Sequence, residues 1–115
     1  MNEQEWIKEF PAGITVCDVE GIILEMNDKA AGSFEKDGGR FTKLIGSNML
    51  DCHPDPAREK TERLLAARIK NVYTIEKNRI KKLIYQSPWY KNGEYAGFVE
   101  LSLEIPLGIS HFIRS

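Results

Sequence analysis

The sequence predicts an α+β domain: one antiparallel sheet of five strands with helices packed across one face. Three observations carry that prediction. Residues 13 to 26 alternate apolar and polar side chains on either side of a Glu20-Gly21 break. Residues 57 to 69 repeat their apolar positions at helical spacing. The last third is rich in β-branched and aromatic residues and contains Asn92-Gly93, a strong hairpin signal.

Taken in order, the N-terminal stretch sets Trp6, Ile7 and Phe10 on one side among Glu3, Glu5, Lys8 and Glu9. It reads as a short amphipathic helix over residues 1–11, ended by Phe10-Pro11, because proline disfavours helix in the residue before it. "GITVCDVEGIILEMN" then reads as two strands joined by a tight turn at Glu20-Gly21. Asn27 or Asp28 caps a short helix through Ala30 and Ala31, which Gly32 weakens or ends. Residues 35 to 45 hold Gly38-Gly39 and read as a loop. In "GSNMLDCHPDP", Asp55 and Pro56 make a good N-cap and first helical position. Ala57, Thr61, Leu64, Leu65, Arg68 and Ile69 continue as the longest helix.

"VYTIEKN", "RIKKLIYQSPWYK" and "EYAGFVELSLEI" complete the sheet. Glu76 to Lys82 is a solvated hairpin tip, not a nucleic-acid patch. Pro88 inside a strand marks an edge or a bulge. In the last strand Val99, Leu101, Leu103 and Ile105 share one face, expected to be buried. Glu100, Ser102 and Glu104 share the other, expected to be wet. Residues 107–115 are a tail, so the domain proper is expected over 12–106.

Composition narrows the function classes. A chain of 115 residues is one domain, and a 42% hydrophobic, 29% charged composition is that of a globular protein. Sixteen basic against 17 acidic residues leave a net charge of −1, which argues against nucleic-acid binding through phosphates and against an anionic membrane surface. No signal peptide and no bilayer-length apolar run stands out, so the expected location is cytoplasmic. Two cysteines, Cys17 and Cys52, do not make a disulfide framework and are expected to be free thiols.

This element order, with "GITVCDVEGIILEMNDKAA", "LIGSNML" and "NGEYAGFVELSLEI", resembles a PAS domain over nearly the whole chain. Asn27 matches the asparagine that starts the helix after the first two strands, and Gly46 the glycine before the long helix. "LIGSNMLDCHPDP" is similar to a PAS subgroup with Cys-His-Pro at that point. The resemblance implies the strand order 2-1-5-4-3 and a pocket between sheet and helices. It also implies a role in sensing small molecules, light or redox state, or in dimerisation.

The candidate sites follow from that pocket. Gly46-Ser47-Asn48 matches the start of the LOV photoreceptor motif Gly-x-Asn-Cys, but Met49 stands where the cysteine would be. A thioether cannot form the thiol–flavin adduct, so that photochemistry is excluded. Haem is an alternative, with His53 as axial ligand and Met49 and Cys52 as other soft ligands. Against it, His53 before Pro54 is equally suited to bracing a loop, and Cys52 to packing as a small apolar residue. A structural zinc site lacks ligand spacing: the chain has two cysteines and two histidines, and Cys17 and His111 stand far from the pair.

Cys52 and His53 are sequence neighbours, which point apart by default, and Asp51 and Asp55 read as turn and cap residues. A small enzyme would need a displaced carboxyl deep in the pocket. Of Asp18, Glu100 and Glu104, alternation sends the two glutamates outside, so the chain is expected not to be an enzyme. The ligand-pocket candidates are Met49, Cys52, His53, Leu64, Leu83, Tyr85, Trp89, Val99 and Leu101, with Tyr95 among the aromatics. Arg40 beside Gly38-Gly39 could clamp an anion. Each aromatic taken singly is as well explained as core.

The expectation is a sensory or interaction module that binds a small ligand and signals to a protein in trans or by self-association. A helix bearing Trp6, Ile7 and Phe10 in front of a PAS sheet implies a homodimer interface there.

Overall fold

The alternating segment after Pro11 forms the first two strands in a computed structural model that describes residues 5–36, 45–48 and 57–115. A short helix α1 (Glu5–Lys8) precedes β1 (Gly13–Cys17) and β2 (Ile23–Met26). Their connection turns on Asp18, whose carboxylate accepts from Glu20 N at 2.9 Å and Ile22 N at 3.0 Å. The turn centred on Glu20-Gly21 is therefore an Asx-type turn.

Asn27 starts the next helix, α2 (Asp28–Lys36), by accepting from Ala30 N at 3.1 Å. Of the two outcomes expected at Gly32, weakening or ending the helix, the helix does not end there but runs on to Lys36. Glycine costs a helix only about 1 kcal/mol relative to alanine, which capping and packing offset. Residues 45–48 run against the start of β2: Gly46 N donates to Ile23 O, Ile23 N to Ser47 O, and Ile22 bridges Asn48.

The long helix α3 (Ala57–Ala67) ends two residues earlier than its periodicity predicts. Arg68 adopts φ 56°, and its N–H closes on Leu64 O at 3.0 Å, so Ile69 lies beyond the helix and is exposed. The expected N-cap, Asp55 with Pro56, lies outside the described residues.

Three strands follow: β3 (Asn71–Lys77), β4 (Ile80–Lys91) and β5 (Glu94–Ile105). Both hairpins have two-residue turns with positive φ at both positions, Asn78-Arg79 and Asn92-Gly93, the type I′ geometry that matches strand twist. Pro88 sits past the end of β3, where β4 is bonded on one side only, which removes the penalty for its missing N–H. The five strands stand in the order β2-β1-β5-β4-β3, all neighbours antiparallel.

Both α2 and α3 lie on one face. Phe98 packs with Cys17 and with Leu65 of α3. A Cβ on Gly13 would meet Ala30 of α2 and Ser102 of β5. Lys29 of α2 pairs with Glu104 at 3.4 Å. Alternation along β5 therefore turns Phe98, Glu100, Ser102 and Glu104 toward the helices, and Val99, Leu101, Leu103 and Ile105 away from them. The helices thus cover the face expected to be wet: Glu100 and Ser102 are half-buried there and Glu104 stays exposed, while Val99, Leu101, Leu103 and Ile105 are half-buried on the other face. The last strand has two distinct faces as predicted, but the mixed one meets the helices. No helix among the described residues is long and apolar enough to cross a membrane.

Candidate functional site

The helical face of the sheet carries an unusual row. Asn71 of β3 stands opposite Gln86 of β4, Gln86 opposite Glu100 of β5, and Glu100 opposite Thr15 of β1. Asn71 Nδ2 donates to Gln86 Oε1 at 2.8 Å, and Gln86 Nε2 donates to Glu100 Oε1 at 2.8 Å. A carboxylate only accepts, so it forces the Gln86 amide to turn its NH2 to Glu100 and its oxygen to Asn71. The three side chains thus form a one-way relay that ends on negative charge, where hydrogen bonds are strongest.

Cys17, Phe98 and Pro88 flank the row on one side, and Gly13, Ser102, Ile84 and Tyr73 on the other. Cys17, 2% exposed, has its thiol pKa pushed up chiefly by burial, against the Phe98 backbone hydrogen bond that lowers it; Asp18 and Glu100 add to the rise. Tyr73 is raised by burial first and by the Glu100 charge second. Lys60 of α3 holds its ammonium 5.6 Å from the Tyr73 ring centroid.

A second cluster ties α3 to the sheet. The Tyr95 hydroxyl donates to Leu65 O at 2.9 Å, its ring meets Phe98 edge-on, and the Arg68 guanidinium lies 4.6 Å from its centroid. Burial raises the Tyr95 hydroxyl pKa, with the Cys17 thiol next in effect and Arg68 opposing. Leu64 packs against the same core of Cys17, Leu65 and Phe98.

Other pocket candidates stand elsewhere. Leu83, Tyr85, Val99 and Leu101 share the face turned away from α2 and α3, so they do not line a space between sheet and helices. A bulge decides which residues of β5 share a face with which residues of β4. Counted from Asn92-Gly93 without interruption, Val99 would oppose Gln86. The register shifts between Trp89 and Tyr90, with Ala96 the extra residue of β5, and puts Glu100 there instead. Trp89 belongs to the outward set too, but its indole N–H reaches across the Gly97 position to Cys17 O at 2.9 Å. Only glycine fits at 97: a Cβ would fall 1.9 Å from Cys17 O, and φ is +143°.

Met49, Cys52 and His53, with Arg40 and Gly38-Gly39, lie outside the described residues. Among the described residues no group of three His, Cys, Asp or Glu side chains could hold a metal. Of the proposed interface residues, Trp6 is 63% exposed and edge-on to Phe10 at 5.6 Å, while Ile7 is half-buried. Asn71 and Gln86 were not singled out by sequence pattern. The signal that finds them is cross-strand register, which needs both turns and the bulge.

No family model matches the chain, and no curated protein matches it in sequence. Solved structures do. The sensor region of a sensor histidine kinase is 22% identical, with a TM-score of 0.60 over 80% of this chain, which spans only 38% of that one. The PAS domain of BvgS from Bordetella pertussis is 23% identical, with a TM-score of 0.58 over 86% of this chain and 80% of that one. The Aer2 receptor of Vibrio cholerae, described as a dual PAS-haem oxygen sensor, is 20% identical, with a TM-score of 0.55 over 82% of this chain and 94% of that one. With the strand order β2-β1-β5-β4-β3 and both longer helices on one face, the chain has the PAS fold.

Proposed function

We propose that the chain is a sensory module that binds a small ligand between the helical face of its sheet and α2 and α3. It passes its state to a protein in trans or through self-association. One observation carries the reading: the Asn71–Gln86–Glu100 relay lies where a purely structural domain would place apolar core. Polar groups set among apolar ones cost free energy unless they are bonded, and a relay ending on a carboxylate is a poor use of core. Similarity to the sensor region of a sensor histidine kinase supports the same reading. Native mass spectrometry of protein purified from its own host tests it. A co-purifying small molecule supports ligand binding; the bare chain mass alone counts against it.

The outward face supports self-association. Leu83, Tyr85, Val99 and Leu101 cluster there, and Trp6 and Phe10 are exposed nearby in sequence to β1. Deleting residues 1 to 10 is expected to shift the sedimentation profile from dimer toward monomer or aggregate. An unchanged dimer rejects a role for Trp6, Ile7 and Phe10.

A second reading, a haem-based redox or gas sensor with His53 as axial ligand, draws support from the likeness to the Aer2 receptor. The described helical face fits haem poorly, because a carboxylate-ended row opposes the acidic propionates of that group. Absence of a Soret shift on haem addition, or an unchanged spectrum in His53→Ala, rejects it.

A further inference from the structure

We infer that the helical face selects a ligand with a cationic N–H donor, an amidinium or a protonated amine, and that Glu100 receives it. The inference rests on the ligand-binding reading above and adds its chemistry. Glu100 Oε1 is occupied by Gln86 Nε2. Its second oxygen has no partner among the described residues, and no buried polar atom is left unsatisfied, so that oxygen keeps contact with solvent. At the far end of the row, Asn71 donates one N–H to Gln86 and keeps its carbonyl oxygen and a second N–H to offer. The Glu100 end only accepts, so the ligand group that meets it must donate.

Charge decides between a neutral donor and a cation. Among the described residues near this face, Lys29 pairs with Glu104, Arg68 lies on the Tyr95 ring and Lys60 over Tyr73, while Lys82 stands opposite Glu104, which is two positions along β5 from Ser102 and four from Glu100. None of them pairs with Glu100 among the described residues. A carboxylate drawn partly out of water beside Phe98 and Cys17 gains most from an ionised partner, and a ligand carboxylate would be repelled. The Tyr73 ring already accommodates one ammonium at its face, and its hydroxyl feels the Glu100 charge. A flat cation with an aromatic body meets all of these surfaces: the carboxylate at its head and the Phe98 and Tyr73 rings along its side.

The experiment is a titration of the whole chain followed by amide NMR, with benzamidine, benzamide and benzoate as probes of one shape and three charge states. Benzamidine is expected to move the Asn71, Gln86 and Glu100 signals at about tenfold or more lower concentration than either analogue, since a charge-assisted bond exceeds a neutral one by that order. Glu100→Gln keeps an acceptor for Gln86 and should erase the preference. Equal or better binding of benzamide or benzoate to these strands overturns the cation class and leaves the ligand face standing. If no probe moves them, or if Glu100→Gln binds benzamidine as before, the class is overturned as well, and co-purification then decides the ligand reading by itself. The wild-type comparison of the three probes stands even if the variant fails to fold.

Discussion

At the scale of the residue, Asn27 shows how one polar side chain can organise a chain terminus, a strand and a helix. It is 2% exposed. Its oxygen accepts from Ile14 N at 3.0 Å and Ala30 N at 3.1 Å, and its NH2 donates to Ala12 O at 2.6 Å and Ile7 O at 3.1 Å. Every lone pair and proton of the amide is used, so no other residue substitutes. Asn27→Ala is expected to cost about 3 kcal/mol or more, the sum of a lost cap and stranded backbone groups, read as a lower urea midpoint. Asn27→Asp should be nearly as harmful, because it replaces two donors with acceptors facing carbonyl oxygens. Cys17 gives a pH signature. Its thiol pKa is raised above 9.0 in the folded chain, so the unfolded chain loses the proton first. Stability is then flat below that pH and falls as pH rises from 9.0 through the folded value. Cys17→Ala should make the fall shallower; an identical slope in denaturation from neutral to alkaline pH would contradict the assignment.

At the scale of the element, helix α3 is held by its end. Leu65 O is one of the last four carbonyls of the helix, which have no partner within it, and the Tyr95 hydroxyl supplies one. Arg68 closes the helix in the left-handed region, where a side chain is strained, and its guanidinium on the Tyr95 ring offsets part of that strain. Tyr95→Phe should lower stability by about 1 kcal/mol and speed hydrogen exchange in the last turn of α3 before any other element. The hairpin between β3 and β4 carries similar strain at Arg79, φ 65°. Asn-Gly is the preferred pair for this turn, so Arg79→Gly is expected to raise the urea midpoint, by about 0.5–1 kcal/mol in free energy.

At the scale of the whole molecule, the sheet has two unlike faces. The helical face holds Cys17, Phe98 and Ile84 as core, with the relay set between them. The outward face gathers Ile14, Val16, Leu83, Tyr85, Val99 and Leu101, none of them fully buried, with Val72 exposed at its edge. An apolar face of this kind suits a protein partner. Leu101→Asp is expected to weaken self-association, read as a concentration-dependent shift toward monomer in sedimentation, while leaving the Glu100 row intact. A dimer of unchanged strength would place the contact elsewhere.

Much of this architecture is written locally. Alternation in residues 13–26, helical spacing after Ala57, the Asn92-Gly93 pair and a capping residue at 27 each depend on neighbours a few positions away, so the sequence alone determined the elements, their order and their turns. It also told that β5 has one apolar and one mixed face. Which face the helices cover was a tertiary decision, because alternation is symmetric between the two and contacts from Gly13, Cys17, Tyr95 and Phe98 seat α2 and α3. Glu100 moved from an expected wet face to the centre of the candidate site for the same reason, and Ala96, one extra residue in β5, set it opposite Gln86 instead of Val99. Asn71, Gln86 and Glu100 lie on three strands and meet only through that register. No short window of sequence contains their juxtaposition; the folded sheet does.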